Sequence, residues 1–320
     1  MVNIKGSTMT KTKNIRLFQI YYDQDSRLNL QSGFEPLDNC NGPPEFREIV
    51  PIVKYLKEND IQNHEWLGFF SPKFGEKTGL GATDVSAEVT MVNDDIDACL
   101  FTSHWSQIAF FQNAWEHGEY CHPGLIGACQ TLANRAGYNL DLTTSVSTLN
   151  NSVFSHFLVA NGRFWREWCR IVEIYLKLIT ENDDLFMWNT VHDYGTLSMH
   201  PFVVERVPSL IFQDSKFNAK VSNRVIHKSN NLINDILNPQ ARWRKNQTNN
   251  MSDQLLMADR MKELYLTTGE RKYLDEYWRF RLWAPVESGY VNLTECAMNY
   301  IRANCVNATV GGLKIRDRAA

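Results

Sequence analysis

The sequence predicts an α/β fold: a single mixed sheet flanked by helices, followed by a mainly helical C-terminal extension. Three observations carry this. Short runs of β-branched and aromatic residues alternate with longer segments of helical periodicity through about residue 215. Hydrophobic residues fill 43% of the 320 positions and include nine Trp, which suits a large packed core and excludes a disordered chain. Beyond Phe217 the chain turns polar and Asn-rich before two helical stretches.

Ile15 to Tyr22 reads as the first strand and stops at Asp23. Gly33 to Pro44 reads as a loop from its Gly, Pro and Asn content. Glu45 to Asn59 places Phe46, Ile49, Val50, Val53 and Leu56 at helical spacing, and Pro51 inside it predicts a kink or a break. Trp66 to Phe70 is a second strand. Thr83 or Asp84 caps a helix that runs to about Val92. Asp97 to Phe101 is a third strand, followed by a helical segment that carries Gln107, Asn113, Glu116, His117, Glu119 and His122 among large rings. Such polar groups are costly to bury unless partnered, so the segment reads as the wall of a site.

Gly124 to Gly137 forms the next helix and Val153 to Ala160 a fourth strand. Phe164 to Thr180 is an amphipathic helix with Trp165, Trp168, Val172, Tyr175 and Leu176 inward. Asn189 to Met199 reads as a loop, and Pro201 to Gln213 as a buried helix that Pro208 disturbs. Ser252 to Thr268 and Arg271 to Trp283 are helices. The chain thus divides into a flexible leader over 1–14, an α/β domain over 15–217 and a helical extension over 218–320. Strand order and direction are not legible.

A formal net charge of -3 gives no general attraction to nucleic acid. The seven Cys form no CxxC pair and several sit in apolar runs, which points to reduced thiols and a cytoplasmic location. No window reaches the roughly 18 apolar residues of a membrane span, and the first fourteen residues lack the apolar core of a signal peptide.

Several constellations carry chemistry, each with a plainer alternative. Tyr21, Tyr22 and Asp23 end the first strand, where an α/β sheet can meet a ribose or base; Asp23 otherwise opens a turn. Ser71-Pro-Lys-Phe-Gly-Glu-Lys-Thr-Gly79 is not a Walker A loop, yet Lys73 and Lys77 can neutralise a departing diphosphate or stand in solvent. Asn93-Asp-Asp-Ile-Asp97 precedes its strand, the wrong end for a metal-binding carboxylate pair, and reads as a turn. His117 and Cys121 are ligand types four apart, but Gly118 and Pro123 interrupt the helix that would align them for zinc, and no metal site is assigned. Glu205 and Arg206 sit in an apolar run, where a Glu must pair or hold its proton; it serves as a general base or as half of a structural ion pair. Asp193 is a second candidate base. The basic cluster Arg242-Trp-Arg-Lys245 suits solvent or anionic lipid head groups.

The order of these pieces resembles bacterial capsule and O-antigen polysaccharide-biosynthesis glycosyltransferases with a GT-A-like, Rossmann-like nucleotide-sugar fold. The resemblance rests on Leu17-Phe-Gln-Ile-Tyr-Tyr-Asp23, Phe34-Glu-Pro-Leu-Asp-Asn39 and Leu67-Gly-Phe-Phe-Ser-Pro-Lys-Phe74 with Lys77-Thr-Gly79. It continues through Gln107 to Phe111, Glu116-His-Gly-Glu119, His122-Pro-Gly124, Val153 to Trp165, and Phe202-Val-Val-Glu-Arg206. It covers roughly residues 15–215.

It implies transfer of a sugar from a nucleotide-diphosphate donor to a glycan or lipid-linked acceptor, with peripheral contact to the inner membrane. Tyr21, Tyr22, Asp23, Asp38, Lys73 and Lys77 would then hold the donor. His104, Trp105, Gln107, Asn113, Glu116, Glu119 and His122 would hold sugar or acceptor, with Trp115 also available to stack. Glu205, Arg206 and Asp193 would do the chemistry. A well-placed acidic metal motif is missing, which leaves open whether Mn or Mg accompanies the donor. A non-catalytic glycan-binding scaffold and a metal-dependent hydrolase are the rival functions.

Overall fold

The structure of the chain, a computed structural model, describes residues 13–103, 105–181, 189–192, 195–226 and 248–287. Among the described residues six strands form one sheet: β1 (Asn14–Tyr21), β2 (Glu35–Asp38), β3 (Glu65–Phe70), β4 (Ala98–Thr102), β5 (Leu158–Asn161) and β8 (Val221–Val225). A separate hairpin joins β6 (Asn189–His192) to β7 (Gly195–Ser198). The helices are α1 (Gln24–Leu28), α2 (Ile49–Glu58), α3 (Phe74–Thr78), α4 (Ala82–Met91), α5 (Trp105–Phe110), α6 (Ala114–Cys121), α7 (Leu125–Arg135), α8 (Gly162–Glu181), α9 (His200–Val204), α10 (Val207–Gln213), α11 (Thr248–Thr268) and α12 (Arg271–Glu287).

The sheet order is β2-β1-β3-β5-β4-β8. All its strands run the same way except β5, which pairs antiparallel with β3 on one side and β4 on the other. The C-terminal ends of the five parallel strands and the start of β5 therefore share one edge.

Both faces of the sheet are covered, because alternate strand residues point opposite ways. Phe18, Ile20, Leu67, Phe69, Ala98 and Leu100 meet α2, α7, α8, α9 and α10 in the larger core. Leu17, Trp66, Phe70, Cys99 and Phe101 meet Phe74, Ala82, Val85 and Val89 of α3 and α4 on the other face. The helix α8 follows from its apolar stripe: Phe164, Trp165, Trp168, Ile171, Val172 and Tyr175 are all fully buried. Each such side chain contributes about 1.5–3 kcal/mol on leaving water.

Several elements depart from the sequence reading. The expected loop from Gly33 contains β2, which among the described residues pairs only with β1 at the edge of the sheet. An edge tolerates Pro36, which has no N–H, and its half-exposed side chains give no apolar run to read. Pro51 breaks nothing, because it lies in the first turn of α2, where N–H groups have no helical acceptor. The fourth strand starts at Leu158 rather than Val153; the Val153 N–H instead donates to the Ser209 hydroxyl at 2.8 Å, outside the sheet. The expected loop from Asn189 contains the β6–β7 hairpin.

The expected domain edge at 217 does not coincide with the edge of the sheet. Val221–Val225 pairs with β4 over Ala98 to Thr102. Beyond it, α11 and α12 pack on each other and α11 packs on α5. Among the described residues no helix is long and apolar enough to cross a membrane.

Candidate functional site

The C-terminal edge of the sheet is where polar groups gather. Tyr21 ends β1 opposite Asp38 of β2, and its hydroxyl donates to that carboxylate. Asp38 also accepts the Cys40 N–H at 2.8 Å, and these bonds hold its carboxyl below the usual range. Asp23, exposed, is the N-cap of α1: its Oδ1 accepts the Ser26 N–H at 2.7 Å while the Ser26 hydroxyl accepts the Asp23 N–H at 3.0 Å. The turn-opening role of Asp23 is thus accounted for locally.

A buried amide that sequence reasoning missed fixes the next loop. Gln19, fully buried within β1, donates to the carbonyls of Ser71 and Pro72 at 3.4 and 3.3 Å and accepts the Gln31 N–H at 2.8 Å. It pins the segment that leads from β3 into α3. That segment is a short helix closed by Gly79 in the left-handed conformation (φ 75°), not an open phosphate cradle. Lys73 and Lys77 both stand exposed on it, with the Lys77 ammonium 5.7 Å from the centre of the Phe157 ring. A Gln inside an apolar strand run was a visible signal.

The Glu205–Arg206 pair lies at a joint that two prolines build. Pro201 and Pro208 each stand in the first turn of a helix, so the apolar run splits into α9 and α10 with the pair between them. Arg206 is buried, with 3% of its side chain exposed, whereas Glu205 keeps 27%. Arg206 Nη1 donates to Glu205 Oε2 at 2.8 Å and to the Phe154 carbonyl at 3.4 Å, and Nη2 faces His117 Nδ1 at 3.3 Å. Burial raises the Glu205 carboxyl to about 7; Arg206 and Lys77 pull it down, and Glu48 pushes it up. Tyr22, half-buried, donates to Glu48 and lies within the field of Glu205, and its hydroxyl is pushed well above the usual range by burial.

The edge therefore brings together Tyr22, Glu48, Lys77, Glu205 and Arg206, with His117, Phe154 and His156 behind them. Burial lowers His156 to about 4, which keeps its ring neutral. A small pocket opens beside this group at the end of β4, lined among others by Thr102, Ser103, Ser155, Phe154 and Phe157. Glu48 and His156 had no sequence signal, since nothing local says which way either side chain turns.

Most of the helical segment after β4 has another task. Asn113 is the N-cap of α6, accepting from the Trp115 and Glu116 N–H groups, and it donates to the Leu142 and Ser145 carbonyls. Glu116 forms a buried ion pair with Arg281 of α12 at 2.8 Å. Glu119 accepts the Gly124 and Ile126 N–H groups at 2.8 Å each, holding the start of α7. His122 is buried and stacks on Phe202 with ring centres 3.7 Å apart. Asn113, Glu116 and Glu119, expected to hold sugar hydroxyls, thus have polar groups engaged by the protein, and His122, expected likewise, is packed ring to ring on Phe202. Trp115 and Trp105 are core residues rather than stacking platforms, and Gln107 is buried with them on the same segment. His104 and Asp193 lie outside the described residues.

Asp97 sits at the opposite edge, at the start of β4, and is bound by Asn161, Arg163 and the Lys220 N–H at 3.0–3.1 Å. It belongs to the turn. His117 Nε2 lies 3.7 Å from Cys121 Sγ while its Nδ1 faces a guanidinium, an arrangement unsuited to zinc. Among the described residues no group of three His, Cys, Asp or Glu is placed to hold a metal ion.

Compared with known proteins, the chain matches no family model, no curated protein and no solved structure.

Proposed function

We propose that the chain is a glycosyltransferase that moves a sugar from a nucleotide-diphosphate donor to a glycan or lipid-linked acceptor. One observation carries the reading: Tyr22, Lys77 and the Glu205–Arg206 pair converge on the C-terminal edge of a mixed, mostly parallel sheet. That edge is where open α/β sheets take their ligands. The same reading takes the sheet as GT-A-like.

Glu205 is the proposed base. A carboxyl near 7 is half ionised at neutral pH and is matched to accepting a proton from an acceptor hydroxyl. Arg206 holds it in one orientation. The ammonium groups of Lys73 and Lys77 neutralise the departing diphosphate, and Tyr21 and Tyr22 border the nucleoside. The resemblance also raises Mn or Mg. The carboxylates here, Glu48 against Tyr22 and Glu205 against Arg206, are already engaged and do not fit a divalent cation. A lipid-linked acceptor would draw the protein to a membrane surface; the basic cluster at 242–245 lies outside the described residues.

Melting the protein with UDP-, GDP-, CMP- and dTDP-sugars, with and without Mn, tests the donor. A donor that binds only the folded chain raises its melting temperature. Glu205→Gln is expected to keep that shift and lose turnover about 100-fold or more. Full turnover in Glu205→Gln removes the residue from the role; no shift with any donor favours a glycan binder instead.

A further inference from the structure

We propose that His117 is the positioning residue of this site: it seats the Arg206 guanidinium, and the seat aims Arg206 at Glu205. The inference deepens the proposed transferase and rests on reading Glu205 as its base. A buried guanidinium always carries its charge and offers only donors, so each acceptor that reaches it counts, the more so as Arg206 Nε has none. Glu205 and the Phe154 carbonyl receive Nη1 at 2.8 and 3.4 Å; His117 Nδ1, 3.3 Å away, receives Nη2. Nδ1 must then be the nitrogen without a proton, which leaves Nε2–H directed at Cys121 Sγ, 3.7 Å away.

The ring is held in that pose from two sides. It lies flat on Phe154, with centres 4.0 Å apart and planes 10° apart, and meets the edge of Phe111 at 5.0 Å. Phe154 also lies beneath Arg206, 5.7 Å from the guanidinium carbon. The neighbouring residue clears the space: a Cβ on Gly118 would meet Leu125 Cδ2 at 2.7 Å and Arg206 Nε at 3.4 Å. On the other side, Glu116 ties α6 to Arg281 at 2.8 Å. Three successive residues of α6 thus lock the helix, seat Arg206 and make room for it. The carboxylate so aimed is faced by Arg206, Lys77, Glu48 and Tyr22.

Two readouts test this without any sugar transfer, so they still speak if the transferase reading falls. In the wild-type chain, nitrogen NMR of His117 near neutral pH should show Nδ1 unprotonated; a proton there overturns the proposal. The Glu205 carboxyl carbon, identified by its loss in Glu205→Gln, is then titrated in wild type, His117→Phe and His117→Asn. Phe keeps a ring on Phe154 but offers no acceptor, so Arg206 leaves and the Glu205 midpoint rises by about one pH unit or more. Asn returns an acceptor oxygen near the Nδ1 position and brings the midpoint back toward wild type, a rescue that filling space alone does not produce. An unchanged midpoint in His117→Phe overturns the proposal, and if that variant fails to fold the proton position decides.

Discussion

Glu205 shows how a residue that is plain in the sequence acquires its chemistry from neighbours that are not. A Glu–Arg pair within Val203, Val204 and Val207 stands out in any reading of the chain. Its proton affinity depends on burial and on Glu48, Lys77 and Arg206, which reach it from three parts of the sequence. The carboxyl rises from 4.5 to about 7, so the folded state binds the proton more tightly than the unfolded one. That contribution to stability is complete below the ordinary carboxyl range and is lost as pH climbs through about 7. Glu205→Gln, which cannot ionise, escapes the loss. Melting curves should coincide near pH 4 and separate by about 2 °C in favour of Gln near pH 8. A Gln variant that loses ground as pH rises speaks against the assignment.

At the scale of elements, α6 and its flanks show why residue type misleads. Asn, Glu and His among large rings read as a binding wall, yet here Asn113 caps a helix, Glu119 holds the next one and Glu116 pairs with Arg281. The same residue types satisfy buried backbone groups and bind sugars, and sequence spacing does not separate the two uses. The Glu116–Arg281 pair is buried on both sides, at 4% side-chain exposure each. Arg281→Met therefore leaves an uncompensated carboxylate and should cost about 3–5 kcal/mol in denaturant unfolding. Adding Glu116→Gln should return much of that loss, and a double variant as unstable as the sum of the singles would show that the two do not interact. Beside them Lys262, fully buried, donates to the Ile108 and Phe111 carbonyls at 2.7 and 3.0 Å and pairs with Asp259. Burial lowers the Lys262 ammonium and raises the Asp259 carboxyl.

For the whole molecule these contacts make the helical C-terminal part a component of the fold. Strand β8 supplies the partner of β4, and Asn223 accepts the Thr102 hydroxyl at 2.8 Å and donates to the Leu149 carbonyl. A chain ended at Phe217 loses that strand and the partner of Glu116 together. It should be insoluble or melt without cooperativity; a soluble fragment melting like the full chain would support a domain edge at 217.

The alternation of apolar runs determined the α/β class, most element positions and the two covered faces of the sheet, because each is set by local periodicity. Pro208 marked a disturbance in the run from Pro201 to Gln213, but the split into α9 and α10 with Glu205 and Arg206 between them came only with the structure. Only the tertiary structure decided that β5 runs against its neighbours, that β8 belongs to the sheet, and which polar residues face the edge. Those facts depend on meetings such as Arg206 with His117, 89 residues apart, and Arg281 with Glu116, 165 apart. Local sequence marked Arg206, Glu116 and His117 as polar groups in apolar surroundings but did not name their partners, which are chosen only when packing brings them together.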